Sequence, residues 1–322
     1  MKIFDVIIVG GGLAGLTAAI DLSRFRFSVT VFETNTYPHH KVCGEYVSKE
    51  IEPYLKGLGI DLLASGAVEI SNFEMSTVDG RMINTTLPLG GLGISRFAFD
   101  NLLYKKALAQ GVIFNFRKVA KIDFKNNQFQ VAGKEGEPWF ARAVIGAYGK
   151  RSGLDKSLNR DFSFKKHSWL AVKGHFKYPI FPDNLVALHN FDGGYGGLSK
   201  TESGAVNFCY LTHYNSFKRY SSIEEFNKNV VSQNKHLNIF LAESEPVFEN
   251  PLSIAQISFE EKEPVVNHIL MCGDTAGLIH PLCGNGMAMA IHSAKLASIQ
   301  IRKFLNEDGA DRLSMEIAYK KS

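Results

Sequence analysis

The stretch VIIVGGGLAG, residues 6–15, decides the fold of this chain. Its first four residues end an apolar run that begins at Ile3 and is typical of a buried parallel strand. From Leu13 onward, apolar residues recur at helical spacing. Gly10, Gly12 and Gly15 form the pattern G-x-G-x-x-G directly between that strand and that helix. The arrangement predicts the strand, turn and helix that open a Rossmann unit, which binds a dinucleotide.

An acidic residue stands where such a unit needs one. Glu33 ends a second predicted strand that begins at Ser28. It lies 18 residues after Gly15, close to the spacing of such units. Its carboxylate would accept hydrogen bonds from an adenosine ribose, and the free N–H groups at the helix start would bind the pyrophosphate. Glycines at a strand–helix junction can also serve packing alone, and the fingerprint fits NAD as well as FAD.

The composition excludes several other classes of protein. With 45% apolar and 21% charged residues, the chain can form a packed core. We expect no membrane span, although peripheral membrane contact stays open, because no apolar run reaches roughly 18 residues. We expect no nucleic-acid partner, because no basic run is interleaved with aromatic residues. The cysteines Cys43, Cys209, Cys272 and Cys283 form no C-x-x-C pair, so we expect no metal site and a cytoplasmic location.

A second glycine-rich constellation lies near the end of the chain. A strand-like run, His268 to Cys272, leads into Gly273-Asp274, and the segment PLCGNGM, residues 281–287, leads into a predicted helix. These residues resemble the GD motif of the para-hydroxybenzoate hydroxylase and geranylgeranyl reductase superfamily of FAD enzymes. A capped helix after a glycine turn would look the same in isolation. Its pairing with the N-terminal fingerprint favours FAD over NAD.

The resemblance implies roles for particular residues. Asp274 would bind the ribityl chain of a non-covalently held FAD, and Gly284 through Met287 would face the pyrimidine end of the flavin. A helix start at that place stabilises the negative charge of a reduced flavin. The segment KVCGE, residues 41–45, is similar to a Cys-Gly-Glu segment of geranylgeranyl-reductase-like members. Arg96 resembles an Arg that opens a helix and contacts the cofactor, and a nearby anion would balance its position against the helix dipole.

The resemblance is incomplete at two places. Residues 146–149 (GAYG) are similar to a Gly-Ala-Asp-Gly segment, but Tyr148 stands where an Asp is usual. Gly197 stands where geranylgeranyl reductases carry a Trp near the substrate. Cys43 and Tyr195 are weak catalytic candidates, and for each the alternative is a packed structural side chain. The predicted cofactor-binding residues are Gly10, Gly12, Leu13, Ala14, Gly15, Glu33, Lys41, Val42, Cys43, Arg96, Val119, Ala147, Gly149, Asp274, Pro281, Gly284, Asn285, Gly286 and Met287.

The predicted activity is that of an FAD-dependent oxidoreductase acting on a small molecule, with NAD(P)H as a transient reductant. A monooxygenase that hydroxylates an aromatic or apolar metabolite is the first expectation. An ene reductase acting on an isoprenoid or polyene is the alternative, and a flavin-binding protein without turnover of its own is a third. A flavin-dependent halogenase is disfavoured because Trp139 and Trp169 are far apart and form no Trp-x-Trp-x-Ile-Pro signature.

The expected fold class is α/β, or α+β overall, with a discontinuous Rossmann-type FAD-binding domain and an inserted mixed-sheet substrate domain. We assign residues 1–75, 93–165 and 262–322 to the first domain, and residues 76–92 and 166–261 to the second. The elements predicted after the first two strands are a helix between Ser95 and Gly111, a hairpin over 119–131, strands at 140–147, 170–176, 185–189 and 205–213, and helices at 223–231, 286–305 and 310–321.

Overall fold

The computed structural model describes residues 3–165, 168–306 and 310–322. The strands are β1 (Ile3–Val9), β2 (Val29–Glu33), β3 (Tyr46–Ser48), β4 (Val68–Ser76), β5 (Met82–Gly93), β6 (Ile113–Phe116), β7 (Lys121–Lys125), β8 (Gln128–Ala132), β9 (Trp139–Gly146), β10 (Trp169–Lys177), β11 (Leu185–Phe191), β12 (Gly194–Lys200), β13 (Val206–His213), β14 (Glu245–Pro246), β15 (Leu252–Ile257), β16 (Val265–Val266) and β17 (Ile269–Met271). The α-helices are α1 (Leu13–Ser23), α2 (Glu52–Gly57), α3 (Arg96–Ala109), α4 (Gly153–Ser157), α5 (Tyr214–Phe217), α6 (Ile223–Asn229), α7 (Lys235–Glu243), α8 (Gly286–Asn306) and α9 (Arg312–Lys321). Single 3-10 turns cover Lys49–Ile51, Asp161–Phe164, Val231–Gln233, Gly273–Thr275 and Pro281–Cys283.

The contacts divide the chain into two compact units. The first unit contains residues 1–39, 100–165 and 259–322, and the second contains residues 40–99 and 166–258. Each unit is built on its own sheet and has its own apolar core. The first unit is therefore assembled from three separate pieces of sequence.

The first unit carries the predicted Rossmann sheet. Its strands follow the order β16-β17-β9-β1-β2-β6, and the hairpin β7-β8 joins the start of β9. All pairs from β17 to β6 along this order are parallel, so the carboxyl ends of β1, β2, β9 and β17 lie at one edge. Helices α1 and α8 pack against each other. Ligands of such sheets bind outside this edge.

Local sequence explains the ends of several of these elements. Ser95 precedes α3, and its hydroxyl accepts a hydrogen bond from the backbone N–H of Ala98 at 3.0 Å. Gly111, just after α3, has φ +83°, which a glycine adopts without strain. Asn126 and Asn127 both have positive φ between β7 and β8, as a tight hairpin turn requires. The predicted helix and hairpin are therefore both present.

The second unit is a nine-stranded mixed sheet. Its main order is β14-β10-β13-β12-β11-β4-β5-β3, with β15 also paired to β10. The pairs along this order are antiparallel except for β11 with β4, which are parallel. Large apolar side chains from β10 to β13 and from α6 and α7 form its core, including Tyr210, Phe226 and Leu237.

The predicted fold class is confirmed, but the domain boundaries differ from those predicted. The predicted first domain included residues 40–75 and 93–99, whereas the structure places both segments in the second unit. The reason is that β3 and β4 pair with β5, and β4 also pairs with β11, which follows about a hundred residues later. The predicted boundary at residue 166 lies outside the described residues. Among those residues, no helix is both long enough and apolar enough to cross a membrane.

A buried polar cluster ties α7 to β4 and β11 in the second unit. Asn234, which caps α7, donates a hydrogen bond to the Ser76 hydroxyl at 2.8 Å. The Ser76 hydroxyl forms a 2.9 Å hydrogen bond with Nδ1 of His189. Burial, and then the charge of stacked His236, lower the pKa of His189 to about 4. The ring of His189 is therefore neutral in the folded protein at pH 7.

We expect this histidine to make the protein less stable in acid. Its pKa is about 4 when folded and near 6.5 when unfolded, so its contribution is complete above pH 6.5 and is lost as pH falls towards 4. Between pH 7 and 4.5, His189→Asn should lose roughly 2–3 kcal/mol less free energy of unfolding than the wild type, measured by urea titration. His213→Gln serves as the control and should follow the wild type. Equal pH dependence in H189N and the wild type would contradict this account.

Candidate functional site

At the carboxyl edge of the first sheet, the loops after β1 and β9 are in close backbone contact. Gly10 has φ +109°, and a Cβ on it would lie 2.1 Å from the carbonyl oxygen of Ala147. The Ala147 N–H donates to the carbonyl of Val9 at 2.7 Å, so the loop after β9 runs directly beside the loop after β1. Only glycine fits at position 10, as the fingerprint predicts.

The first turn of α1 suits an anion. The helix begins after Gly12, which has extended backbone and makes no side-chain capping bond. Its first turn contains no acidic residue, and Leu13 and Ala14 there are buried. An uncapped helix start leaves N–H donors and the positive end of the dipole for a ligand. A pyrophosphate fits this position.

Glu33 orders the loop that follows β2. It is 9% exposed, and its carboxylate accepts hydrogen bonds from the backbone N–H groups of Gly11 at 2.8 Å, Thr34 at 2.7 Å and Asn35 at 3.1 Å. Tyr37 donates its hydroxyl proton to the Gly11 carbonyl at 2.5 Å. Oε1 of Glu33 also accepts from the Thr34 hydroxyl at 3.3 Å, whereas Oε2 accepts from Gly11, so the acceptor position left for a ribose hydroxyl is on Oε2.

The GD turn meets the fingerprint helix. Gly273 has φ +60°, and a Cβ on it would lie 3.1 Å from the Cβ of Ala14 in α1 and 3.4 Å from that of Ala290 in α8. The Gly273 N–H donates to the Ser293 hydroxyl at 2.8 Å. The structure thus brings together two motifs that are about 260 residues apart in sequence.

The start of α8 carries an unsatisfied polar atom. Gly284 has φ +66° and ends the turn Pro281–Cys283, and Gly286 begins the helix. The side-chain oxygen of Asn285 is buried and has no hydrogen-bond partner among the described residues. Burying such an atom costs free energy unless a ligand or water satisfies it. With the open start of α1 and the acid at Glu33, the first unit has groups that fit FAD.

Two buried cationic side chains, Arg160 and Lys262, donate hydrogen bonds to backbone carbonyls of the GD turn. Arg160 pairs with Asp155 at 3.0 Å and donates to the Thr275 carbonyl at 2.8 Å, and Lys262 donates to the Asp274 carbonyl at 2.8 Å. Burial lowers the pKa of Lys262. The hydroxyl of Tyr148 accepts a 3.4 Å hydrogen bond from Arg160, and burial raises its pKa. The Tyr that replaces the usual Asp is thus a structural neighbour of the turn.

The other predicted residues lie either in the first unit or in the second. Gly149 donates its N–H to the Thr275 hydroxyl at 2.8 Å, and Val119 is a buried core residue of the first unit. The residues Lys41, Val42, Cys43, Arg96 and Tyr195 belong to the second unit. Tyr195 is half-buried on β12, opposite Asn190.

Protein carboxylates occupy the start of α3. The N–H of Arg96 donates to Glu45 at 2.7 Å, and the N–H and hydroxyl of Ser95 each donate to Glu202 at 2.6 Å. Negative charge at a helix start is stabilising. The carboxylates of Glu45 and Glu202 are the negative charge that we expected near Arg96 at this helix start. The position of Arg96 is therefore explained without a bound pyrophosphate.

Glu45 also belongs to a buried charged cluster that the sequence reasoning missed. Its carboxylate is paired with Lys173 and lies 2.7 Å from Nε2 of His175, and both Glu45 and Lys173 are fully buried. Burial alone would raise the pKa of Glu45, but the His175 hydrogen bond and the Lys173 charge bring it below its ordinary value. The sequence did contain a signal for part of this cluster. Lys173 and His175 are two residues apart on one predicted strand, which places both on the same face.

The fold and the geometry of this edge define a Rossmann-type dinucleotide-binding protein. A model of the pyridine nucleotide-disulphide oxidoreductase family matches residues 4–176, more than half of the chain. The chain belongs to that family of FAD-binding oxidoreductases. The predicted class of FAD-dependent oxidoreductase is confirmed at this level, and the narrower superfamily assignment remains a prediction.

Similar proteins include members with different named activities. An uncharacterized protein of Methanosarcina barkeri is 23% identical over 329 residues, which is 100% of this chain and 80% of that protein. A menaquinone reductase of Mycobacterium tuberculosis is 26% identical over 63% of this chain, and the match spans about half, 53%, of that protein. The solved flavin-dependent brominase Bmp2 has a TM-score of 0.83 at 16% identity, with 99% of this chain and 83% of that chain covered. At that identity the brominase shows a shared fold alone.

We predict that the contact between the GD turn and α1 tolerates no added methyl group. Gly273→Ala combines a positive φ with a Cβ at 3.1 Å from Ala14, so it should cost about 1–3 kcal/mol in free energy of unfolding. Gly277→Ala, in the same loop, is the matched control because no atom lies within 4 Å of the added Cβ. Urea unfolding of both variants checks this. A G273A protein as stable as G277A would show that the two motifs are not in close contact.

Proposed function

We propose that this protein binds one FAD non-covalently in its first unit and uses it as an NAD(P)H-driven monooxygenase of an aromatic or apolar small molecule. The meeting of Gly273 with Ala14 carries the cofactor part of this proposal. It joins a dinucleotide fingerprint to a GD turn, and that pair is what distinguishes an FAD site from a general Rossmann turn. Membership of an FAD-binding family supports it.

The residues of the first unit have distinct parts to play toward FAD. The N–H groups of Leu13 and Ala14 would bind the pyrophosphate, and Glu33 would accept from the ribose. Asp274 would hold the ribityl chain, and its backbone is fixed by Lys262. Asn285 and the start of α8 would meet the flavin ring and favour negative charge there. When bound, FAD supplies the redox chemistry, and these residues orient it.

The second unit is proposed to supply the substrate pocket. Its sheet carries Tyr195, a weak catalytic candidate, and the Lys41–Cys43 segment precedes β3 in the same unit. Partly buried aromatic side chains pack against its core, among them Phe176, Tyr178 and Tyr220. Partly exposed Phe and Tyr side chains suit apolar or aromatic molecules. This supports an aromatic or apolar substrate without naming one.

An ene reductase is the second candidate. The similarity to a menaquinone reductase favours it, and so does the resemblance of KVCGE, residues 41–45, to geranylgeranyl-reductase-like members. In this reading a hydride and a proton add across a carbon–carbon double bond and dioxygen takes no part. The fold shared with a brominase makes halogenation a third outcome to be tested.

The cofactor proposal predicts that Glu33→Gln weakens FAD binding. Loss of a charged acceptor should raise the dissociation constant by about tenfold or more, because hydrogen bonds to charged groups contribute about 1.5–3 kcal/mol. Flavin fluorescence quenching during reconstitution measures the affinity. Glu69→Gln, at an exposed ion pair in the second unit, is the control and should bind FAD like the wild type. A wild-type protein that stays colourless with FAD would refute the cofactor proposal.

Anaerobic reduction followed by controlled reoxidation tests the reaction. We expect NADPH or NADH to bleach the flavin and, after labelled dioxygen is admitted with phenolic substrates, a product that carries one labelled oxygen atom. Reduction of a polyene without dioxygen would support the ene reductase instead. When bromide is added to the assay, a brominated product would contradict both candidates. Failure of either nucleotide to reduce the flavin would favour a flavin-binding protein without independent turnover.

A further inference from the structure

We propose that His40, Glu45 and His175 of the second unit form a binding site for a divalent metal ion of the zinc type. Each offers one ligand atom, and these atoms all lie within 4.8 Å of one another. The cluster lies wholly inside the second unit, so the proposal does not depend on the flavin or on the proposed function.

The two carboxylate oxygens of Glu45 face different partners. Oε1 accepts from the N–H of Arg96 at 2.7 Å and is paired with Lys173, whereas Oε2 lies 2.7 Å from Nε2 of His175. Oε2 and Nε2 share a hydrogen bond, and a metal ion would take the place of the proton between them. Zinc bonds to nitrogen and oxygen are about 2.0–2.1 Å long, so neighbouring ligand atoms lie roughly 3.3 Å apart in a tetrahedral site. To reach this spacing, Oε2 and Nε2 would separate by about 0.6 Å, and ligand atoms up to 4.8 Å apart would approach by up to about 1.5 Å.

His40 offers a buried ring nitrogen to the site. Its Nδ1 is buried and has no hydrogen-bond partner among the described residues. The rings of Phe97 and Phe248 pack against His40 at centroid distances of 4.7 and 4.6 Å and fix its orientation.

Lys173 sets the strength of the site. Its ammonium group donates to Oε1 of Glu45, the oxygen that does not face His175, and to the Lys41 carbonyl oxygen at 3.1 Å. The same positive charge repels a divalent ion. The structure thus predicts a site whose affinity rises when this charge is removed.

The ligand types indicate zinc rather than calcium or magnesium. Two imidazoles and one carboxylate form a common set for zinc with a fourth position open to water or a small ligand, whereas calcium and magnesium prefer oxygen ligands throughout. The cysteine pattern gave no indication of this site because none of its ligands is a cysteine.

Zinc titration of the whole protein tests the proposal. The protein as purified, stripped with chelator and desalted, is titrated with zinc chloride against a chromophoric chelator, and bound metal is counted by mass spectrometry. We expect one zinc per chain in the wild type and a loss of affinity of at least about tenfold in His40→Gln and His175→Gln. Lys173→Met should bind zinc at least about tenfold more tightly, and zinc should raise its melting temperature more than that of the wild type.

Controls separate this site from adventitious binding. His236→Gln changes a histidine in the stacked pair with His189 and should bind zinc like the wild type. His40 is half-buried, so H40Q tests the site even where H175Q fails to fold. No zinc bound by the wild type on titration, equal affinity in H40Q and the wild type, or no gain in K173M would each overturn the proposal.

Discussion

The first unit depends on the contact between Gly10 and the backbone of Ala147. Strands β1 and β9 are neighbours, and the loops that leave their carboxyl ends run so close that a Cβ on Gly10 would lie 2.1 Å from a carbonyl oxygen. Gly146, at the end of β9, is also close to a neighbour, because a Cβ on it would lie 2.6 Å from the sulfur of Met271 on β17. The loops after β1 and β9 can approach this closely at the carboxyl edge because glycine occupies position 10, where φ is +109°. Everything proposed about the cofactor follows from that edge.

Buried charges stabilise the positions that the glycines permit. In the first unit, Arg160 and Lys262 donate to consecutive carbonyls of the GD turn, and the Arg160–Asp155 pair is almost completely buried. In the second unit, Glu45 and Lys173 are fully buried and paired. Removing one partner of such a pair typically costs about 3–5 kcal/mol, because the other charge remains buried. These clusters fix loop positions that apolar packing alone would leave adjustable.

Local sequence was sufficient to predict many of the elements and the two glycine motifs that the structure brings together. The strand, glycine turn and helix of residues 3–23, the Asn126–Asn127 turn and the cap at Ser95 all follow from neighbouring residues. The pairing of β4 with β11 did not, because nothing within β4 specifies a partner so far along the chain. The strand β12, rich in glycine, and the short helix α7 were also missed, because their packing and not their propensity forms them. Glu45 meeting His175 is a contact of the same long-range kind.

The most direct measurement is a crystal structure of the protein with FAD. The account predicts one FAD per chain, with its pyrophosphate on the N–H groups of Leu13 and Ala14, its adenosine ribose on Glu33, and its ribityl chain beside Asp274. A dinucleotide bound at that edge without contact to the GD turn would contradict the central claim, and so would FAD bound to another part of the chain.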